Sequence, residues 1–176
     1  MVASFATAQD VEARTAGAVP VSDPFVQTAL DAASQRIRNV CGWHVYPVVA
    51  EPLTQVSALP GLPLWLPTVL LVSVDGITVD DVPVTDLSGV RWWPSGEVEF
   101  TAWGSKNMIA FTHGYAAAPA DLVSLTIELA LGDLASRMGA VREQSLSSSV
   151  TWARASGQLS PADVQGLSAY RLGYVP

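Results

Sequence analysis

The spacing of apolar positions changes twice along the chain. It predicts a helical opening, a β-rich middle and a helical close. Thr7, followed three residues later by Asp10, is a capping pattern that starts a first helix running to about Thr15, with Gly17 and Pro20 ending it. Ser22-Asp23-Pro24 is a second start signal. From there Val26, Leu30, Ala33, Ile37 and Val40 recur at helical spacing, with Gln35, Arg36 and Arg38 on other faces. Residues 24–41 therefore predict an amphipathic helix stopped by Gly42.

Beyond Gly42 the chain favours extended structure. Trp43 to Pro47 and Val48 to Leu53 read as strands whose prolines limit sheet depth. Val69 to Val74 is a buried-strand pattern, and Asp75-Gly76 before Ile77-Thr78-Val79 predicts a hairpin. Val90 to Trp93, the turn Pro94-Ser95-Gly96 and Glu97 to Trp103 predict another, and Asn107 to Thr112 one more strand. Pro119 then opens the longest predicted helix, over 119–138 and ended by Gly139. Leu122, Leu125, Leu129 and Gly132 form one stripe on it, and Val123, Ile127, Ala130, Leu134 and Met138 a second. A helix apolar on two faces belongs at the centre of a core or between subunits. Glu143 to Ser149 is polar, Val150 to Arg154 is a short strand candidate, and Ser160-Pro161-Ala162-Asp163 caps a final helix of about ten residues before an apolar tail. The fold class expected is α+β: a helical bundle of two N-terminal helices, one long central helix and a short C-terminal helix, carrying a β-rich hairpin insertion.

Composition narrows the function classes. Of 176 residues, 49% are apolar and 14% charged, against about 25% charged in ordinary domains. Such a chain has a large Ala-rich core or apolar surface covered by partner subunits. Its 9 basic and 16 acidic residues leave a formal charge of −7, a field that does not attract phosphate backbones. The single cysteine, Cys41, excludes an intramolecular disulfide and suits a small buried position at a helix end. No basic and apolar leader pattern opens the sequence, so no signal peptide is expected. The stretch Leu62 to Val74 is too short and too interrupted by proline to span a bilayer.

Candidate chemistry is sparse. The histidines, His44 and His113, lack metal-ligand spacing with other donors, and neither a phosphate-binding glycine loop nor a nucleophile elbow is present. Glu97 and Glu99 share one face of a strand. They could serve glycoside hydrolysis across a bound sugar, but alternation with Val98 and Phe100 reads more simply as a solvent face. Asp80-Asp81 is a lone acidic pair beside a turn. Among the six tryptophans, Trp92 and Trp93 must point to opposite faces if both lie on one strand. Together with Trp103 and with Leu129 and Leu134 on the long helix, they are the candidate subunit-interface residues, since tryptophan is enriched where proteins meet. No catalytic residue, metal or cofactor is expected.

Several soft motifs acquire meaning from their order. The opening Ala6 to Arg14, the run Ala33-Ser34-Gln35-Arg36-Ile37-Arg38 with Gly42 and Trp43, Thr112-His113-Gly114-Tyr115 with Pro119-Ala120-Asp121-Leu122, the serine-rich Glu143 to Trp152, and the ending Ala169-Tyr170-Arg171-Leu172 together resemble the head-to-tail adaptor (connector) proteins of long-tailed, siphovirus-type bacteriophages, especially those of actinobacteria. The resemblance covers most of the chain. It implies a single adaptor domain over 1–176, with a helical core at about 7–42 and 119–171, a β insertion at about 43–113 and a docking tail at about 170–176.

It also implies a job. Adaptors form a ring, usually a dodecamer, beneath the portal protein. The ring extends the DNA channel and presents a surface to the stopper (head-completion) protein and the tail. DNA passes without specific binding, no membrane is involved, and the protein would be assembled in the host cytoplasm and reside in the virion neck. By this resemblance Tyr170, Arg171, Leu172, Tyr174 and Val175 would dock on the portal. Twelve copies of a chain at −7 would carry about −84, which repels phosphate if the acids face the lumen. A lumen lined by Arg36, Arg38 or Lys106 would contradict that orientation. The competing readings are a carbohydrate- or ligand-binding β module using exposed tryptophans, a hydrolase using Glu97 and Glu99, and a head-closure (stopper) ring protein.

Overall fold

The computed structural model describes residues 3–56, 59, 62–137, 143–145, 148–150 and 158–173. The chain divides into two compact units, Met1–Val40 with Ala118–Ala169 and Cys41–Ala117 with Tyr170–Pro176.

The first unit contains helices α1 (Ala8–Arg14), α2 (Val26–Cys41, whose last residue belongs to the second unit), α3 (Ala120–Arg137) and α4 (Pro161–Gly166). The Thr7 hydroxyl accepts from the Asp10 amide, and the Asp10 carboxylate accepts from the Thr7 amide, closing a capping box at α1. Ser160 and Asp163 make the same box before α4, which runs on into a 3₁₀ turn at Leu167–Tyr170. On α2, Val26, Leu30, Ala33 and Ile37 are buried, as their spacing predicts. Two polar residues of α2 hold the start of the chain. The Ser34 hydroxyl accepts from the Phe5 amide at 3.1 Å, and the buried Arg38 donates to the Ala3 carbonyl with its guanidinium 4.5 Å above the Phe5 ring. Arg36 pairs with Asp133 of α3 at 2.8 Å.

The second unit contains β1 (Val49–Val56), β2 (Leu64–Trp65), β3 (Leu71–Val79), β4 (Val82–Pro83), β5 (Arg91–Trp92), β6 (Glu97–Glu99) and β7 (Asn107–His113). They form two antiparallel sheets, in the orders β1-β7-β3-β4 and β2-β6-β5. A further pair, β8 (Glu143–Ser145) and β9 (Ser148–Val150), makes a small hairpin within the Ala118–Ala169 stretch. Along β7 the residues Asn107, Ile109, Phe111 and His113 are buried and those between them are half-buried. Ile109 and Phe111 join Leu71 and Ile77 of β3, Leu64 of β2 and Val98 of β6 in one core with Leu66 and Trp103.

The expected fold class is therefore corrected. The chain is not a helical bundle built on one long central helix with a hairpin insertion. Among the described residues it has four short helices, α3 at 18 residues being only two longer than α2, and an antiparallel β structure with its own core. The insertion is not a series of local hairpins, because β7 pairs with β1 and β3, which lie far from it in sequence. Asp75-Gly76 is no turn. Strand β3 runs through it, and the register shift between Val74 and Gly76 leaves Asp75 as the extra residue of a bulge. Its carboxylate accepts from Ser73 and Thr112 hydroxyls, each at 2.7 Å. The turn falls instead at Asp80-Asp81, both at positive φ (47° and 68°), joining β3 to β4 by the two-residue geometry that suits the strand twist. Lys106 braces it, its amide donating to Asp80 and its ammonium to Asp81. Of the candidate strand Val150 to Arg154, Val150 ends β9 and the other residues lie outside those described, as do the helix end at Met138-Gly139 and the tail from Tyr174.

Gly114 ends β7 at φ 109°, where a Cβ would stand 2.6 Å from the Pro47 carbonyl oxygen. The substitution Gly114→Ala is expected to cost about 2–4 kcal/mol, combining backbone strain with a contact that no rotamer relieves. Urea denaturation measures it, and a loss below about 1 kcal/mol would show that this approach does not constrain the fold.

Candidate functional site

Two features of the β unit stand apart from ordinary packing. The first is the outer face of the three-stranded sheet. Leu64, Val98 and Trp92 are direct neighbours across β2, β6 and β5, and Trp65 lies opposite Glu97. The Trp93 amide donates to the Glu97 carbonyl at 2.9 Å and so extends the register by one pair. Pro94-Ser95-Gly96 then closes a three-residue loop, with Gly96 at φ 90°. Opposed residues share a face. Val98 is fully buried, so Trp65, Glu97 and Trp93 lie on the outer face, the tryptophans 45% and 39% exposed. Arg91 and Glu99, paired at 2.9 Å, continue that face. Trp92, on the core side of an edge strand, is also 38% exposed. Leu62, Val72 and Val82 add further exposed apolar side chains to this unit.

The expected interface residues thus separate. Trp92 and Trp93 are partly exposed, whereas Trp103, Leu129 and Leu134 are buried within the chain. Phe100 packs edge-on against Trp103 with ring centroids 5.2 Å apart. Trp65 was missed because it sits in a proline-rich stretch that resembles no motif, although its place one residue after Leu64 before a strand partner was the available signal. Glu97 and Glu99 are half-buried around a buried Val98, with Glu99 engaged by Arg91.

The C-terminal segment is anchored to the unit. The Trp43 indole donates to the Tyr170 carbonyl at 2.6 Å, Tyr170 meets Tyr115 edge-on at 5.8 Å, and the Leu172 amide donates to the Cys41 carbonyl at 2.9 Å. The Leu172 side chain covers Gly42. Arg171 is exposed, and Tyr174 and Val175 lie outside the described residues. The basic residues named as a possible lumen lining all have partners within the chain: Arg36 with Asp133, Arg38 with Ala3 and Phe5, and Lys106 with Asp81.

The second feature is a cavity of about 400 Å³ beside that anchor, lined by Trp43, His44, Glu51, Gln55, Phe111 and His113 among others. Nothing in the sequence around either histidine joins the two. Strand β7 and the turn after α2 bring their rings within 5.6 Å. The His113 side chain is only 4% exposed, and neither of its ring nitrogens has a hydrogen-bond partner among the described residues. The Glu51 carboxylate, 41% exposed, stands 3.5 Å from Nε2, near enough to favour an imidazolium. Burial pushes the His113 pKa below its ordinary 6.5, with His44 acting in the same direction and Glu51 opposing. His44 itself contacts the Pro47 carbonyl through Nε2. Among the described residues no three His, Cys, Asp or Glu side chains form a group able to hold a metal, and no helix is long and apolar enough to cross a membrane.

No protein-family model matches the chain, and no curated protein matches it. Among solved structures it is similar to a chain of one described as "Neck of native GTA particle computed with C12 symmetry", with a TM-score of 0.48 and 17% identity over 100% of this chain and 97% of that one.

A depressed histidine pKa makes the unfolded chain the stronger proton binder between the folded value and 6.5. The stabilisation is present above 6.5 and is lost as pH falls through that window. The His113 ring should titrate by NMR with a midpoint below 6.5, and lower still in Glu51→Gln, which removes the opposing carboxylate. A midpoint at or above 6.5 would contradict the burial of a neutral ring.

Proposed function

We propose that this protein is a non-enzymatic virion component, a head-to-tail connector that forms a ring beneath a phage portal and joins the head to the stopper and tail. The observation that carries the reading is the outer face of the β2-β6-β5 sheet, where Trp65 and Trp93 flank Glu97 with the Arg91–Glu99 pair alongside. Large aromatic side chains held in water by a rigid sheet, next to charges of both signs, form the anchor-and-rim pattern of a protein interface. A ring with one repeated contact needs two different surfaces on each subunit. The tryptophan face supplies one of them. The ordered sequence motifs that resemble adaptors support the assignment, and C12 symmetry, which the similar neck assembly has, is the arrangement proposed for this ring.

In this reading Tyr170, Arg171 and Leu172 mark the side towards the portal, with Tyr174 and Val175 continuing the segment. The net charge of −7 keeps the ring from holding the DNA that passes through it. A Trp–Glu–Trp row also has the form of a sugar platform, with two flat apolar surfaces and a carboxylate between them. A carbohydrate-binding module is therefore the second reading.

Co-sedimentation with DNA-filled, tailless capsids that carry their portal tests the proposal, comparing the full chain with a version ending at Ala169. About twelve copies bound per capsid are expected, with loss on truncation if the tail docks and retention if the docking surface lies elsewhere. Absence of binding by both forms, with tryptophan fluorescence quenched by added glycan, would replace the connector with the sugar-binding reading.

A further inference from the structure

One indole joins the buried His113 to the C-terminal segment. The Trp43 ring lies against His113, with centroids 5.8 Å apart, and its N–H donates to the Tyr170 carbonyl at 2.6 Å. Tyr115, two residues beyond His113, faces both Trp43 and Tyr170, at 6.4 Å and 5.8 Å. The Leu172 amide donates to the Cys41 carbonyl at 2.9 Å, and the Leu172 side chain lies over Gly42. Residues 170–173 thus form a strap across the turn after α2. Arg171 and Gly173 within it are exposed, so the strap opens at far lower free energy than the sheet beneath it.

The histidine beneath is sensitive to one proton. With its hydrogen on Nε2, towards the Glu51 carboxylate, neutral His113 leaves Nδ1 as a buried acceptor with no partner among the described residues. A second proton makes Nδ1 a charged donor in the same dry position, which costs more than the neutral acceptor did. His44, its ring 5.6 Å away, repels that charge whenever it is itself protonated. Glu51 opposes, but its side chain is 41% exposed and water screens it. The other neighbours bring no charge: Trp43 and Phe111 pack on the ring, and Val49 and Leu71 stand opposite on β1 and β3. We propose that residues 170–173 are a pH-dependent strap, closed on Trp43 while His113 is neutral and released when the ring takes up its second proton. Release lets Trp43 move aside and water reach the imidazolium from the adjoining cavity, which both side chains line. The closed form is the weaker proton binder. The strap therefore holds above the ordinary histidine value of 6.5 and loosens as pH falls through the window beneath it. Its release bares Trp43, Tyr115 and Leu172 together.

Hydrogen exchange of the full-length protein, read by NMR at the Trp43 indole and the Leu172 amide, tests the strap. It needs neither capsid nor partner, so its outcome is separate from that of the connector. Corrected for intrinsic rates, protection at both sites should fall at least about threefold between about pH 7.5 and about pH 5.5, while the amides of β7 keep theirs. Glu51→Gln removes the opposing carboxylate and should deepen the fall. His113→Phe should abolish it. Equal protection at the two pH values, or a fall shared by β7, would overturn the proposal. So would a fall that persists in His113→Phe, since the titrating group would then lie elsewhere. If His113→Phe folds poorly, Glu51→Gln decides, and an unchanged or shallower fall there contradicts the proposal.

Discussion

The β unit depends on the two-sided pairing of β7. This strand hydrogen-bonds to β1 along one edge and to β3 along the other, and its alternate residues Asn107, Ile109, Phe111 and His113 turn to the interior. Because side-chain direction has a period of two, a slip of one residue would send Ile109 and Phe111 to the outside and bring Met108 and Ala110 in. The bulges in β3 at Val72 and Asp75, and the irregularity in β1 between Glu51 and Thr54, absorb mismatch in the partners and leave β7 regular. At its end the strand delivers His113 to the cavity, and Gly114 then lets the chain pass close to the Pro47 carbonyl.

From that strand the two functional features follow in opposite directions. Ile109 and Phe111 share a core with Leu64 and Val98, which fixes the inner face of the small sheet. Once Val98 is buried, alternation leaves Trp65, Glu97 and Trp93 on the other side with no place in the core. At the end of β7, burial of His113 against Trp43 and Phe111 creates an unsatisfied polar group beside the Glu51 carboxylate. The outer face of the small sheet presents apolar side chains with charges at its rim, and the end of β7 packs a histidine among aromatic rings.

Local signals in the sequence were legible where short-range chemistry decides the outcome. The Thr7–Asp10 and Ser160–Asp163 pairs place helix starts because a capping box is closed by residues three apart. The stripe from Val26 to Ile37 is a burial pattern of a single helix, and the hairpin through Pro94-Ser95-Gly96 is closed by its own turn. The β architecture was not legible, because it rests on pairs distant in sequence. Asp75-Gly76 has the composition of a turn, yet β3 continues through it since β7 offers a partner on both sides of the bulge. Asp80-Asp81, expected only beside a turn, forms the turn itself at positive φ, where aspartate is less common than glycine, and its support comes from Lys106, 25 residues away from Asp81. The stripes over 119–138 marked a helix that does form, as α3 over Ala120–Arg137, but not the helical bundle expected around it. The meeting of His44, Glu51 and His113 depends on the register of β1 against β7, which neither histidine's neighbours reveal.

In the proposed connector the tryptophan face is where the protein meets its partners. Hydrogen–deuterium exchange of the full chain, free and bound to portal-bearing capsids, tests this directly. New protection concentrated in residues 64–65 and 91–99 is expected on binding. Binding with unchanged exchange across those residues, and protection elsewhere, would contradict it.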